Sequence, residues 1–243
     1  MSLKRTIAVI QARTGSSRLP GKVLMELHPG VSILEHQCRR LSRVDGVDAL
    51  IIATTDQPGD DRIAALAARL GLACVRGSDH DVLNRFVKAG RATGAGTLVR
   101  ITSDSPFRDP GVIAACVAHH HGGGYEYTRP VADALPKGLR AEVVETKVLE
   151  QLDADPATSG REREHVTAAI RDNPDRYRCG APDFPERWAR PHYDLSVDTP
   201  EDLAFVRALW RDLEARSWPA DIDHICALLD ARASELESKG GAA

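Results

Sequence analysis

The chain has 243 residues, 42% of them hydrophobic, with 32 Lys and Arg against 35 Asp and Glu for a formal net charge of −3. That length suits one large core and falls short of two independent ones. The near balance of charge argues against a nucleic-acid partner, and no apolar run approaches membrane-spanning length, which argues against a membrane protein. The five cysteines, Cys38, Cys74, Cys116, Cys179 and Cys226, include no C-x-x-C pair; with a core strand expected within a few residues of the N-terminus, leaving no room for a signal peptide, they point to a reduced, cytoplasmic protein.

Short apolar runs at residues 7–10, 50–53, 72–75 and 98–101 read as strands, and the intervening segments 33–43, 60–70 and 81–93 carry helical patterns. This alternation predicts an α/β fold, a mostly parallel sheet with helices on both faces and ligands at the carboxyl ends of its strands. Residues 110–121 predict a further helix with Pro110 in its first turn. Its polar end, His119-His120-His121, runs into Gly122-Gly123-Gly124 and reads as a helix end leading into a loop. The rhythm then loosens: a strand over 141–144, a short helix over 145–152, a helix over 161–172 halted before Pro174, and a strand over 193–197. Thr199-Pro200-Glu201-Asp202 supplies a cap, a first-turn proline and an acidic partner for a helix carrying Leu203, Val206, Leu209 and Trp210. A last helix is expected over 222–236, with 237–243 fraying, so residues 1–236 are read as a single domain.

Directly after the first strand stands Gln11-Ala12-Arg13-Thr14-Gly15-Ser16-Ser17-Arg18-Leu19-Pro20-Gly21-Lys22. A buried strand ending in such a loop leaves backbone N–H groups free, and three basic side chains surround them, a set suited to a polyphosphate. The spacing is not that of a P-loop, since five residues separate Gly15 from Gly21 and Val23 follows Lys22. No G-x-G-x-x-G fingerprint follows the strand either. Arg13, Arg18 and Lys22 are therefore the leading ligands for the β- and γ-phosphates of a nucleoside triphosphate, with loop groups at Gly15 and Ser16 contributing hydrogen bonds.

The loop resembles the signature of the cytidylyltransferases that activate acidic sugars, in particular the branch typified by the spore-coat polysaccharide synthesis protein F, related to CMP-octulosonate and CMP-sialate synthetases. Further similar segments follow in the family's order: Ile52-Ala53-Thr54, Arg76-Gly77-Ser78 with Asp81-Val82-Leu83-Asn84-Arg85, Arg100-Ile101-Thr102-Ser103-Asp104-Ser105-Pro106, Pro136-Lys137-Gly138-Leu139, Arg161-Glu162-Arg163-Glu164-His165-Val166-Thr167 and Val197-Asp198-Thr199-Pro200-Glu201-Asp202-Leu203. The resemblance implies a three-layer, Rossmann-like nucleotide-diphosphosugar transferase fold with an irregular acceptor and dimer lobe, and a homodimer. It also implies the reaction of CTP with a nonulosonate or related ulosonate to give a CMP-sugar and pyrophosphate for surface polysaccharide synthesis.

Asp104 and Asp198 each follow a predicted strand and can project into one strand-end crevice, although Asp198 is also suited to cap a helix and Asp104 to form a turn. By the resemblance both match the family's Mg2+ ligands, a pair of carboxylates that suits a cation completed by water and phosphate. Arg13, Lys22 and Asp104 are then the expected catalytic residues. Alignment and metal charge suffice for direct attack, so no general base is assigned. The resemblance also places Ala12, Ser78 and Asp81 around the pyrimidine, Asp81 being equally suited to cap the helix that follows. On the acceptor side Lys137, Arg140, Arg163 and His165 suit a carboxylate or phosphonate, while residues 161–164 fit a solvated helix face as well. Two segments depart from the family, Gly138-Leu139-Arg140 for Gly-Leu-Asp and Thr102-Ser103-Asp104-Ser105-Pro106 for Thr-Gly-Asp-Cys-Pro, and both concern the acceptor. The competing readings are another nucleotide, a phosphonate acceptor, or a nucleotide-binding protein without turnover.

Overall fold

A computed structural model describes residues 4–131 and 134–240. In chain order the elements are β1 (Thr6–Gln11), β2 (Glu26–His28), β3 (Val31–Ser32), α1 (Ile33–Arg40), β4 (Ala49–Thr55), α2 (Asp61–Arg69), β5 (Ala73–Gly77), α3 (Val82–Thr93), β6 (Thr97–Thr102), α4 (Pro110–Gly123), β7 (Tyr127–Thr128), β8 (Glu142–Glu145), α5 (Thr146–Ala154), α6 (Gly160–His165), α7 (Ala168–Asp172), β9 (Cys179–Gly180), α8 (Pro200–Ala215) and α9 (Ile222–Gly240). Seven strands form one sheet in the order β5-β4-β1-β6-β8-β7-β9, with β2 and β3 making a separate ribbon. β1, β4, β5 and β6 run parallel; β8 is antiparallel to both β6 and β7, and β9 pairs parallel with β7. The structure thus has the expected α/β, mostly parallel architecture.

The side-chain alternation of the strands divides the core. Ala8, Ile10, Ile52, Val99, Ile101 and Val143 pack on one face with apolar residues of α1, α2, α4, α8 and α9, whereas Ile7, Val9, Ile51, Leu98 and Val144 meet α3, α5 and α7 on the other. Central strands buried on both faces are apolar throughout, which is why these runs stand out in the sequence. Helix starts are equally explicit. Asp109 accepts from the N–H groups of Gly111 (2.7 Å) and Val112 (3.1 Å) with Pro110 at the first position of α4, and Thr199 and Asp202 form a reciprocal capping box on α8.

Strand order places the crevice. From β1 the chain moves outward to β4 and β5, then returns to β6 on the other side of β1, so the connections diverge between β1 and β6. Gln11 pairs with Thr102 at the ends of these two strands, and the loops that follow leave the sheet side by side. A ligand crevice at such a switch point follows from the geometry of parallel sheets.

Four expectations are corrected. Residues 193–197 form no strand; they meet residue 137 through one bridge, Lys137 with Asp194, because the segment crosses a loop and not a sheet edge. Residues 161–172 form two helices, since Val166 adopts φ +57°, ψ −60° and interrupts the helical hydrogen bonding. The short strands β7 and β9 were not anticipated. The last helix continues to Gly240 instead of ending at 236, while residues 241–243 lie outside the described residues.

Candidate active site

The loop after β1 is folded on itself by its own backbone. Ala12 N–H donates to Ala53 (3.0 Å), and the Thr14 carbonyl accepts from both Ser16 and Gly21 (each 2.9 Å). Gly21 sits at φ +72°, a left-handed conformation in which a side chain is disfavoured. Buried Asp60 clamps the loop: Oδ1 accepts from Thr14 N–H (2.7 Å) and Thr14 Oγ1 (2.6 Å), and Oδ2 accepts from Thr55 Oγ1. Burial alone works to raise the Asp60 pKa, yet these donors hold it below the ordinary value. Among the described residues nothing accepts from the N–H groups of Gly15, Ser17 and Arg18. This is the unpaired donor set that an anion requires.

A cleft of about 500 Å³ opens over this loop. Ala12, Arg13, Gly15, Ser16, Arg18 and Lys22 line it, joined by Asp104 and Asp198. The Val197 N–H donates to the Asp104 carbonyl (2.8 Å), which fixes the two acidic segments beside each other. Lys22, only 12% exposed, donates to Asp198 Oδ1 (2.7 Å) and to the Val197 carbonyl (2.6 Å), while Arg18 reaches Asp198 Oδ2 (2.9 Å). Burial works to raise the Asp198 pKa, but its bond to Lys22 and the charges of Lys22, Arg18 and Lys137 keep it below the usual carboxylate range. Asp198 does not cap α8, because Thr199 and Asp202 do so. Asp104 lies in a turn, but its side chain bonds no backbone group there: its Oδ1 accepts from Thr102 Oγ1 (2.7 Å) and Ser105 Oγ (3.0 Å), and among the described residues its Oδ2 has no partner. Arg13 pairs with Asp79 (2.9 Å) and lies 3.8 Å from Glu164.

Two residues expected at the base lie elsewhere. Asp81 caps α3 through the Asn84 N–H (3.0 Å) and pairs with Arg163 (2.8 Å), so both its oxygens are occupied and it does not line the cleft. Ser78 accepts from the His80 N–H (3.3 Å) and is likewise outside the lining. Arg85, which sequence reasoning did not single out, does line it. Burial pushes its pKa down, and among the described residues Nε and Nη1 have no acceptor. An arginine among Val82, Leu83 and Phe86 on one helix is the sequence signal that points to it.

A second cavity of about 270 Å³ adjoins the first, with Arg100, Thr102, Asp104 and Asp198 belonging to both. Lys137 and Arg140, two of the four residues expected on the acceptor side, line it. Arg163 and His165 do not: Arg163 is bound to Asp81 and to Asp153 (3.0 Å), and His165 lines the nucleotide-side cleft. Their place is taken by Arg108, Arg129 and Arg171, cations contributed by three distant segments. Gly138, at φ +94°, approaches Leu195 so closely that a Cβ would stand 3.0 Å from its carbonyl carbon, so the cavity wall requires glycine there. Glu142 closes the inner side. It accepts from Arg100 (2.5 Å), Thr167 (3.0 Å) and Tyr127, and although burial pushes its pKa up, Arg100, the Tyr127 hydroxyl and the charge of Arg171 carry it down to about 2.

A divalent cation is tested against this donor set. Among the described residues no group of three or more His, Cys, Asp or Glu is gathered for a metal. The pair Asp104 and Asp198 fits magnesium, which takes one or two carboxylates and completes its shell with water and phosphate oxygens.

A basic Gly-containing loop and two carboxylates at the switch point of a mostly parallel sheet define a nucleotide-binding α/β protein. The chain matches the family described as Cytidylyltransferase over residues 7–225 and belongs to it. It is therefore a nucleotidyltransferase. It is 38% identical over 206 residues to the spore coat polysaccharide biosynthesis protein SpsF of Bacillus subtilis, covering 84% of this chain and 85% of that one. In fold it is similar to a cytidylyltransferase from Leptospira borgpetersenii (TM-score 0.85, 23% identity, 96% of each chain). It is also similar in fold to a CMP:2-keto-3-deoxy-manno-octonic acid synthetase in complex with CTP (TM-score 0.62, 21% identity, 86% of this chain and 99% of that one). No helix among the described residues is long and apolar enough to cross a membrane.

Proposed function

We propose that this cytidylyltransferase joins CMP from CTP to an acidic sugar, an ulosonate or nonulosonate, and releases pyrophosphate, and that the product serves surface polysaccharide synthesis. The observation that carries this reading is the pair of adjoining cavities sharing Asp104 and Asp198, one lined by the loop's cations and the other by Lys137, Arg140 and further arginines. A hydroxyl of the acceptor attacks the α-phosphorus of CTP, the new P–O bond forms as the bond from α-phosphorus to the bridging oxygen breaks, the electron pair leaves on pyrophosphate, and the hydroxyl proton passes to solvent. Lys22, Arg18 and the free loop N–H groups stabilise that departing charge. The base is assigned to the part of the cleft lined by Ala12, Val82 and Arg85, since the loop cations take the phosphates. Asp104 and Asp198 would hold Mg2+, which when bound screens the phosphate oxygens and withdraws charge from phosphorus. Arg13 and Lys22 orient the triphosphate for in-line attack.

The test is pyrophosphate release with each of the four nucleoside triphosphates against a panel of acidic and neutral sugars. CTP with an acidic sugar should give the highest rate. Preference for a neutral sugar would overturn the acceptor assignment, and preference for another triphosphate would overturn the assignment of CTP.

A further inference from the structure

Arg108 combines two properties that are rarely found together. Its residue is only 6% exposed, yet its side chain lines the smaller cavity. Its one hydrogen bond runs from Nη2 to Thr102 Oγ1 (2.9 Å), a neutral hydroxyl, and among the described residues no carboxylate pairs with it and Nε has no acceptor. A guanidinium held out of water with no carboxylate bonded to it, Asp104 acting on it only through space and through Thr102, is organised for an anion that arrives from outside. Burial lowers the Arg108 pKa to about 10, opposed by nearby Asp104, which leaves it a cation at neutral pH.

The surroundings agree. Arg129 also lines the cavity, and among the described residues its side chain donates to the Pro130 carbonyl (3.4 Å) alone, with Lys137, Arg140 and Arg171 beside it. Two of the acids in the wall are engaged elsewhere, Glu142 by Arg100, Tyr127 and Thr167, and Asp198 by Lys22 and Arg18; the third, Asp104, is joined to Arg108 only through the Thr102 hydroxyl. Backbone contacts hold Arg108 in place, since Arg40 Nε donates to its carbonyl (2.8 Å) and Asp109 caps α4 immediately after it.

We propose that Arg108 is the fixed, specificity-determining ligand for an oxyanionic group, carboxylate or phosphonate, on the acceptor. The reading rests on the acceptor assignment of the smaller cavity made above. Thr102 Oγ1, which accepts from Arg108, donates to Asp104 Oδ1 (2.7 Å), so Arg108 sits two hydrogen bonds, and the anion three, from the carboxylate shared with the nucleotide cleft. The acceptor's anionic group and its attacking hydroxyl must accordingly lie close together. A planar guanidinium with free donors grips either oxyanion through two hydrogen bonds, whereas an ammonium offers a point charge.

The experiment fills the nucleotide cleft of 15N-labelled protein with CMP and magnesium, then titrates acetate and methylphosphonate separately. The Arg108 Nε–H signal, identified by its loss in Arg108→Lys, should shift saturably with at least one anion, and the tighter of the two identifies the source. In Arg108→Gln, which can still donate to the Thr102 hydroxyl, that anion should bind about ten- to a hundredfold more weakly, read at the backbone amides of Ser105 and Gly138. An Arg108 signal unmoved by both anions, or shifting without saturation, overturns the proposal; so does unchanged affinity in a folded Arg108→Gln protein. The wild-type signal decides the matter if a variant fails to fold. Saturable anion binding in a protein that releases no pyrophosphate would instead sink the enzymatic reading and leave this one standing.

Discussion

Lys22 is the side chain on which the electrostatics of the larger cleft converge, because it ties the Val197 carbonyl and the Asp198 carboxylate to the loop that follows β1. Its contact with the leaving pyrophosphate would be charge-assisted, worth roughly 1.5–3 kcal/mol, so Lys22→Ala should lower turnover by about one to two decades. Steady-state pyrophosphate release checks this, and unchanged turnover would remove Lys22 from the reaction. Lys22, Asp104 and Asp198 were legible as candidates because Lys22 lies in the compact loop after β1, Asp104 just beyond β6 and Asp198 just before the capped start of α8, positions that local pattern predicts. Asp60, Arg85 and Arg108 were not. Their significance lies in what surrounds them: Asp60 receives Thr14 from another loop, and Arg108 is defined by the carboxylates it lacks. Arg163 shows the converse, a cation suited by type to the acceptor that is drawn away by Asp81 and Asp153.

Among the elements, the long buried strands and the capped helices were readable, since continuous apolar runs and Ser, Thr or Asp caps are local signals. β7 and β9 have two residues each, too few for any period, and exist because β8 and β7 offer them an edge. The break between α6 and α7 was equally hidden. There the Thr167 N–H donates to the His165 carbonyl (2.6 Å) across Val166, a γ-turn of the strained, positive-φ hand, which frees Thr167 to bond Glu142 while His165 lines the cleft. Such a backbone costs a β-branched residue about 1–3 kcal/mol. Val166 is also fully buried, so shortening it loses packing whatever replaces it. Val166→Gly relieves the strain and Val166→Ala does not; glycine should therefore be the more stable variant by about 1 kcal/mol, against the usual order of the two residues. Urea melts of both proteins test the inversion, and an alanine variant more stable than the glycine variant would refute it.

At the scale of the whole molecule, two apolar layers enclose a sheet whose central wall contains a charged pair, Arg100 on β6 facing Glu142 on β8. Burial opposes ionisation of Glu142, but Arg100, the Tyr127 hydroxyl and Arg171 lower its pKa from 4.5 to about 2. The unfolded chain therefore binds the proton more readily, and this carboxylate contributes stability that is complete above pH 4.5 and lost as pH falls toward 2. Buried His36 acts in the same sense at higher pH, since burial takes it from 6.5 to about 3. Unfolding free energy should fall on acidification, and Glu142→Gln should flatten the part of that slope between pH 4.5 and 2. An unaltered slope in denaturant titrations at those pH values would show that Glu142 is not responsible.

By itself the sequence determined the α/β class, the order of the main strands and helices and the basic loop after the first strand, and it offered Asp104 and Asp198 as candidates beside that loop. All of these rest on short-range signals: apolar period, capping residues, glycine and proline placement. Tertiary structure decided which cations share a cavity, because that depends on which carboxylates reach them first. It assigned Arg163 to Asp81, left Arg108 facing the smaller cavity with no carboxylate bonded to it, and placed Lys137 and Arg140 in one cavity and His165 in the other. Pairing of charges across the fold is set by packing distances of a few ångströms, which no spacing along the chain encodes.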